Sequence, residues 1–166
     1  MRFLLALLLP IILPASFLWG QVEPPSNQTD FLKLTKAELN IEDISLVPSD
    51  SLNIATFYDI KSNENYYFVQ SNDFIQIKGY RGFTNLGIVF NQSGKVMQVN
   101  IISSQDTASY VRRIRRSKFF NQFIGFNGKQ NLDIISGATV TTKAINETVT
   151  YITNILHTVI NQQKNY

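Results

Sequence analysis

The stretch Leu86-Gly87-Ile88-Val89-Phe90-Asn91-Gln92-Ser93-Gly94-Lys95-Val96-Met97-Gln98-Val99-Asn100-Ile101-Ile102 reads as two β-strands joined by a short turn. Residues 86–90 are an apolar run, and in residues 95–102 Met97, Val99 and Ile101 alternate with Gln98 and Asn100. Alternation at a period of two predicts one buried and one polar face for the second strand. Gly94 closes the turn where a short hairpin connection needs positive φ.

Upstream, residues 54–60 and 66–70 are β-branched and aromatic runs separated by Lys61-Ser62-Asn63-Glu64-Asn65, which predicts another hairpin. A third run, residues 73–78, alternates Phe74, Ile75 and Ile77 with polar neighbours and stops at Gly79. Residues 31–46 carry a mixed pattern that predicts a short helix or an irregular lead-in. Downstream the period changes. Residues 107–123 place Val111, Ile114, Phe119, Phe120 and Phe123 among Arg112, Arg113, Arg115, Arg116 and Lys118, a helical segment broken near Ser117 and ending at Gly125. Residues 144–162 set Ile145, Val149, Ile152, Leu156, Val159 and Ile160 on one stripe, with Asn146, Thr150, Asn154, His157 and Asn161 opposite, an amphipathic helix. Strands first and helices after them predict an α+β fold, an antiparallel sheet with helices packed on one face in a single domain.

Composition narrows the chemistry. The 166 residues include 44% apolar side chains and a formal charge of +3, too apolar and too weakly charged for a disordered chain and enough for one core. With no Cys and one His, disulfides, zinc ribbons, iron–sulfur ligation, thiol redox chemistry and covalent c-type haem are excluded. Any electron or group transfer here needs an organic cofactor. The small charge imbalance makes nucleic acid an unexpected partner. Met1-Arg2 precedes residues 3–19, a run without charge, and Gly20-Gln21 follows. That order fits an export signal ending near Gly20, while a retained anchor stays open, with Pro10 and Pro14 interrupting any helix. Residues 21–30, with Pro24-Pro25, read as a linker. Either way the working domain is expected outside the cytoplasm, periplasmic or extracytoplasmic.

Between Gly125 and the last helix stands Asp133-Ile134-Ile135-Ser136-Gly137-Ala138-Thr139-Val140-Thr141-Thr142, a turn of small residues that opens a helix. Ser136 or Thr139 has the side chain for a cap, Gly137 permits close backbone approach, and Ala138 leaves the Thr139 hydroxyl unobstructed. Free N–H groups at a helix start also attract phosphate, so a plain cap and an anion site both account for these residues.

Asp133 to Thr139 resembles the Asp-x-x-Ser-Gly-Ala-Thr flavinylation motif of the FMN-binding domain family, whose members include flavin-carrying components of the sodium-translocating NADH:quinone reductase and of the related Rnf complex. Three further elements in the same order carry the resemblance: Gly79-Tyr80-Arg81-Gly82 before the hairpin, the acidic-Thr pair Asp106-Thr107 after it, and Phe120-Asn121-Gln122-Phe123-Ile124-Gly125. The order and spacing agree over residues 79–159, about half of the chain. The resemblance implies FMN held covalently, by a phosphoester on Thr139, with a separate FAD-dependent, magnesium-requiring flavin transferase as the modifying enzyme. A Thr hydroxyl is a weak nucleophile without a base, and none stands beside Thr139, which agrees with activation by a partner.

The implied cofactor-binding residues are Thr139, Ser136, Gly137, Ala138, Asp133, Thr141, Thr142, Gly79, Tyr80, Gly82, Asp106 and Thr107. Asp133 is expected either to contact the transferase or to serve as an ordinary turn carboxylate, and Asp106 and Thr107 either to meet the ring edge or to cap the next helix. Where many members follow the acidic-Thr pair with Pro-Gly, this chain has Ala108-Ser109, and Tyr110-Val111-Arg112-Arg113-Ile114 is closer to the flavin domain of nitrous-oxide-reductase regulator proteins. The arginines would attract an anion or simply face solvent.

On this reading residues 1–20 are signal or anchor, 21–30 linker, and 31–166 an FMN-binding domain with core 79–160 and N-terminal extension 31–78. The expected function is electron relay with a membrane or extracytoplasmic redox partner, and no catalytic residue is assigned. The alternatives are a flavin-dependent reductase of a small substrate and a non-redox extracytoplasmic binding or scaffold domain.

Overall fold

The computed structural model describes residues 44–47, 54–59 and 63–163. Strands β1 (Ile44–Val47), β2 (Ile54–Asp59), β3 (Glu64–Gln70), β4 (Thr84–Asn91) and β5 (Val96–Ser104) form one antiparallel sheet in chain order. Helices α1 (Ala108–Arg116) and α2 (Thr139–Gln163) follow, with a 3₁₀ turn at Phe119–Phe123 between them. The α+β architecture agrees with the expectation from the sequence.

Both hairpins form where the periodicity places them. Asn63 takes the left-handed conformation in the β2–β3 turn, which Asn tolerates, and the stacked Phe57 and Tyr66 rings are cross-strand partners. In the β4–β5 turn Gly94 has φ +78°. The Asn91 Oδ1 atom there accepts the Ser93 N–H at 3.1 Å and the Lys95 N–H at 3.0 Å.

The alternation in β5 is interrupted. Val89 pairs with Gln98 and Phe90 with Val96, so Met97 is an extra residue; Asn85 pairs with Ser103 and Leu86 with Ile101, so Ile102 is another. Each bulge reverses which face the following side chains meet. Val99 and Ile101 therefore join the core under the helices, whereas Met97 and Ile102 pack on the opposite face with Phe57, Tyr66, Phe68 and Val89. The expected single buried face carrying Met97, Val99 and Ile101 is corrected accordingly, and Gln98, expected on the polar face, is buried.

The larger core joins Ile54, Val69, Leu86, Ile88 and Phe90 of the sheet to Ile114 of α1, to Phe119, Phe123 and Phe126, and to the α2 stripe Ile145, Val149, Ile152, Leu156 and Ile160. Burying a side chain of this size stabilises the fold by about 1.5–3 kcal/mol. Helix α1 stops at Ser117, whose backbone turns extended and whose N–H returns to the Arg113 and Ile114 carbonyls. Gly125, at φ +77°, closes the aromatic turn. His157, expected on the open polar face, instead packs beneath Gly94.

Two local expectations fail. Residues 73–78 form no strand: Ser71–Asp73 is a 3₁₀ turn, and only the Lys78–Phe83 bridge follows. β4 already has β3 and β5 as neighbours, and the Ser71 hydroxyl takes the Leu86 N–H at 2.8 Å, so β4 has no free edge for this segment while Phe74 and Ile75 pack on the core. Within the predicted lead-in, Ile44–Val47 is a strand paired with β2. The remainder of that lead-in, the apolar run 3–19 and the linker 21–30 lie outside the described residues. Among the described residues no helix is long and apolar enough to cross a membrane.

Candidate cofactor site

The end of β5 brings the Asp106 carboxylate into the gap between the Gly79–Gly82 turn and the start of α2. Its Oδ1 accepts the backbone N–H of Arg81 at 2.9 Å and of Thr107 at 2.6 Å. Its Oδ2 accepts the Tyr80 N–H at 2.9 Å and the Thr141 hydroxyl at 2.6 Å. Asp106 is 8% exposed. Burial pushes its carboxyl up, but the bonds from Thr141, Arg81, Thr107 and Tyr80 outweigh this and hold it below the usual carboxylate range.

The glycines are dictated by space. A Cβ on Gly79 would stand 2.1 Å from Asp106 Oδ2, and one on Gly82 would stand 2.4 Å from the Gln105 carbonyl oxygen. The Gly79 N–H closes the turn on the Gly82 carbonyl at 2.9 Å. The turn thereby presents Tyr80, 51% exposed, with its ring edge against Tyr110 of α1.

The loop before α2 is held by its backbone. Asp133 donates its N–H to Gln122 Oε1 at 2.7 Å, and its carbonyl accepts Asn146 Nδ2 at 2.9 Å. The Asp133 residue itself is exposed, so its carboxylate is presented rather than used internally. Three residues on, the Ser136 carbonyl accepts Arg113 Nη1 at 2.9 Å. Gly137 follows at φ +75°, and a Cβ there would lie 2.3 Å from the same nitrogen.

Ala138, expected to clear space around Thr139, is buried in the core. Its carbonyl accepts the first α2 bond, from Thr142 N–H at 2.9 Å, which makes Ala138 the residue at the cap position. The expected Ser136 or Thr139 side-chain cap is corrected: the Thr142 hydroxyl takes the Ile135 N–H at 3.3 Å and donates to the Ala138 carbonyl at 3.0 Å. Thr141 and Thr142, expected among the cofactor ligands, are fully enclosed and tie the site together from within. Thr139 is half-buried, and among the described residues its hydroxyl makes no hydrogen bond.

Thr107 precedes α1 but its side chain caps nothing. Its Oγ1 is buried without a partner, next to the fully bonded Asp106. An orphaned buried hydroxyl calls for a ligand or water, and a cap role does not account for it.

Along α1, Ser109, Arg112, Arg113, Arg116 and Ser117 line an open groove of about 400 Å³. The groove meets the loop through Arg113, which belongs to both. Gln122, Asn146 and Arg113 were not singled out as site residues by sequence reasoning. Gln122 had a signal, its place in the Phe-Asn-Gln-Phe element, and Arg113 had one as part of an arginine run that would attract an anion or face solvent, whereas Asn146 read only as a polar helix face.

The predicted residues thus gather around the start of α2: Gly79, Tyr80, Gly82, Asp106, Thr107 and Thr141 on one side, Asp133, Ser136, Gly137 and Thr139 on the other. No curated protein matches the chain. Residues 79–154 match the family described as FMN-binding domain, and the match contains every one of these side chains. That stretch of the chain belongs to the FMN-binding domain family, and FMN is the cofactor the domain binds.

Proposed function

We propose that the protein is an extracytoplasmic flavoprotein that relays electrons through FMN attached by a phosphoester to Thr139. The observation that carries the reading is the contrast among the threonines at the start of α2. Thr141 and Thr142 spend their hydroxyls on Asp106 and on the loop backbone, while the Thr139 hydroxyl is accessible and unbonded among the described residues. The residues around it fit the cofactor. Gly137 lets the chain turn beside a cationic side chain, Thr107 holds a hydroxyl with no internal partner, and Tyr80 offers a half-exposed ring.

Bound FMN supplies a carrier that takes and gives one or two electrons. The chain's own residues bind and orient. Asp106 fixes the Tyr80 turn relative to α2, and Tyr110 limits the Tyr80 ring. Gln122 and Asn146 hold the Asp133 backbone, so that the carboxylate faces an incoming transferase. Attachment needs an FAD-dependent flavin transferase: the Thr139 Oγ–phosphorus bond forms, the pyrophosphate bond of FAD breaks, AMP leaves, and the hydroxyl proton goes to the transferase's base or to water. The uncharged run 3–19 after Met1-Arg2 supports export of the domain, and its redox partner would meet it there.

The test is co-expression with such a transferase. The intact mass should rise by FMN less one water, with yellow fluorescence surviving denaturation. Ser136→Ala should still be modified and Thr139→Ala should not. An unmodified native chain, or a modified Thr139→Ala, removes the proposal.

A further inference from the structure

We infer that Arg113 is the cation that receives the phosphate end of FMN, an inference that rests on the flavin reading above. The four arginines of α1 are not equivalent. Arg115 donates to the Ile101 carbonyl at 3.3 Å and is committed to the sheet. Arg113 donates to the Ser136 carbonyl at 2.9 Å and is committed to the attachment loop. Arg112 and Arg116 make no hydrogen bond or ion pair among the described residues and line the groove beside Arg113.

The Arg113 guanidinium lies directly against the loop at Gly137. With a Cβ 2.3 Å from Nη1, any side chain at position 137 would displace the guanidinium, so Gly137 admits Arg113 as well as satisfying its own φ of +75°. Only one of the five N–H donors of that guanidinium is bonded among the described residues. A planar fork with open donors is suited to phosphate oxygens, and no carboxylate among the described residues neutralises it. Thr139 stands two residues beyond Gly137, so a phosphoester there would bring a negative charge to the loop that Arg113 grips. The Ser136 bond holds the guanidinium in place before the anion arrives.

The test compares FMN with riboflavin, which lacks only the phosphate. Their affinities for the full chain, prepared without transferase so that Thr139 is free, are measured by flavin fluorescence quenching. The native chain should prefer FMN by about tenfold or more, the size of one charge-assisted hydrogen bond. Arg113→Met should bring the two flavins to near parity with riboflavin binding kept. Arg113→Lys should retain part of the preference, and Arg115→Met should leave it whole. Inorganic phosphate should compete with FMN and not with riboflavin, a reading that needs no variant to fold. A preference unchanged in Arg113→Met, or equal binding of both flavins to the native chain, overturns the inference while leaving the flavin site standing. Failure of both flavins to bind overturns this inference, and the flavin reading then stands or falls on the co-expression test above.

Discussion

Two aspartates flank the start of α2 and are used in opposite ways. Asp106 is buried with its carboxylate taking four hydrogen bonds, from the Tyr80, Arg81 and Thr107 backbone and from Thr141. Asp133 is exposed, and it is its backbone that Gln122 and Asn146 hold. The first acid builds the site and the second is shown by it. Asp106 joins three elements distant in sequence: the turn after residue 78, the end of β5 and the first turn of α2. A buried, fully bonded carboxylate is a rigid joint, because losing it strands every donor aimed at it. A side chain in solvent on a pinned backbone keeps a fixed position at little stability cost. That arrangement suits a contact made with another protein.

The largest expected effect comes from removing the joint. Asp106→Ala should cost about 3–5 kcal/mol in urea unfolding, since several buried donors lose their acceptor at about 1–3 kcal/mol each and water replaces only part of it. A loss below about 1 kcal/mol would equate Asp106 with a surface acid and dissolve the contrast.

Next in size is the acid response. Because the folded Asp106 carboxyl lies below its unfolded value of about 3.9, its stabilisation is complete above that value and is lost as pH falls through the lowered folded value. Unfolding free energies taken from pH 7 downward should therefore fall more steeply for the native chain than for Asp106→Asn. Parallel slopes would show that Asp106 contributes nothing to the acid limb.

The smallest effects belong to the other aspartate. Asn146→Ala removes the bond to the Asp133 carbonyl and should cost about 1 kcal/mol. Asp133→Ala should alter stability by less than about 0.5 kcal/mol, as exposed substitutions do, yet slow flavin attachment followed by intact mass. If Asp133→Ala destabilises the fold and leaves the attachment rate unchanged, Asp133 is a structural turn residue and the comparison reverses.

The hairpin at residues 86–102, the break at Ser117 and the buried stripe of α2 were legible before any coordinates. So was the set of residues that gathers at the site, through the resemblance that the family match bears out over residues 79–154. What misled was counting by twos through β5, where a bulge moves Met97 to the opposite face, and reading a strand into residues 73–78, where both edges of β4 are already paired. Val99 and Ile101 kept the expected face only because the bulges lie on either side of them.

The amino-acid order by itself determined the local elements, because whether a side chain prefers water or the interior sets a period of two in a strand and of 3.6 in a helix, readable over a few neighbours. It also supplied the glycines and hydroxyls of the loop before α2. Only the folded chain decided what each of them does. Asp106 meets Tyr80 and Thr141 across 26 and 35 positions, and Arg113 meets Ser136 across 23. Directional bonds over such separations arise where helices and sheet happen to bring donors and acceptors within about 3 Å, a property of packing that no local period encodes.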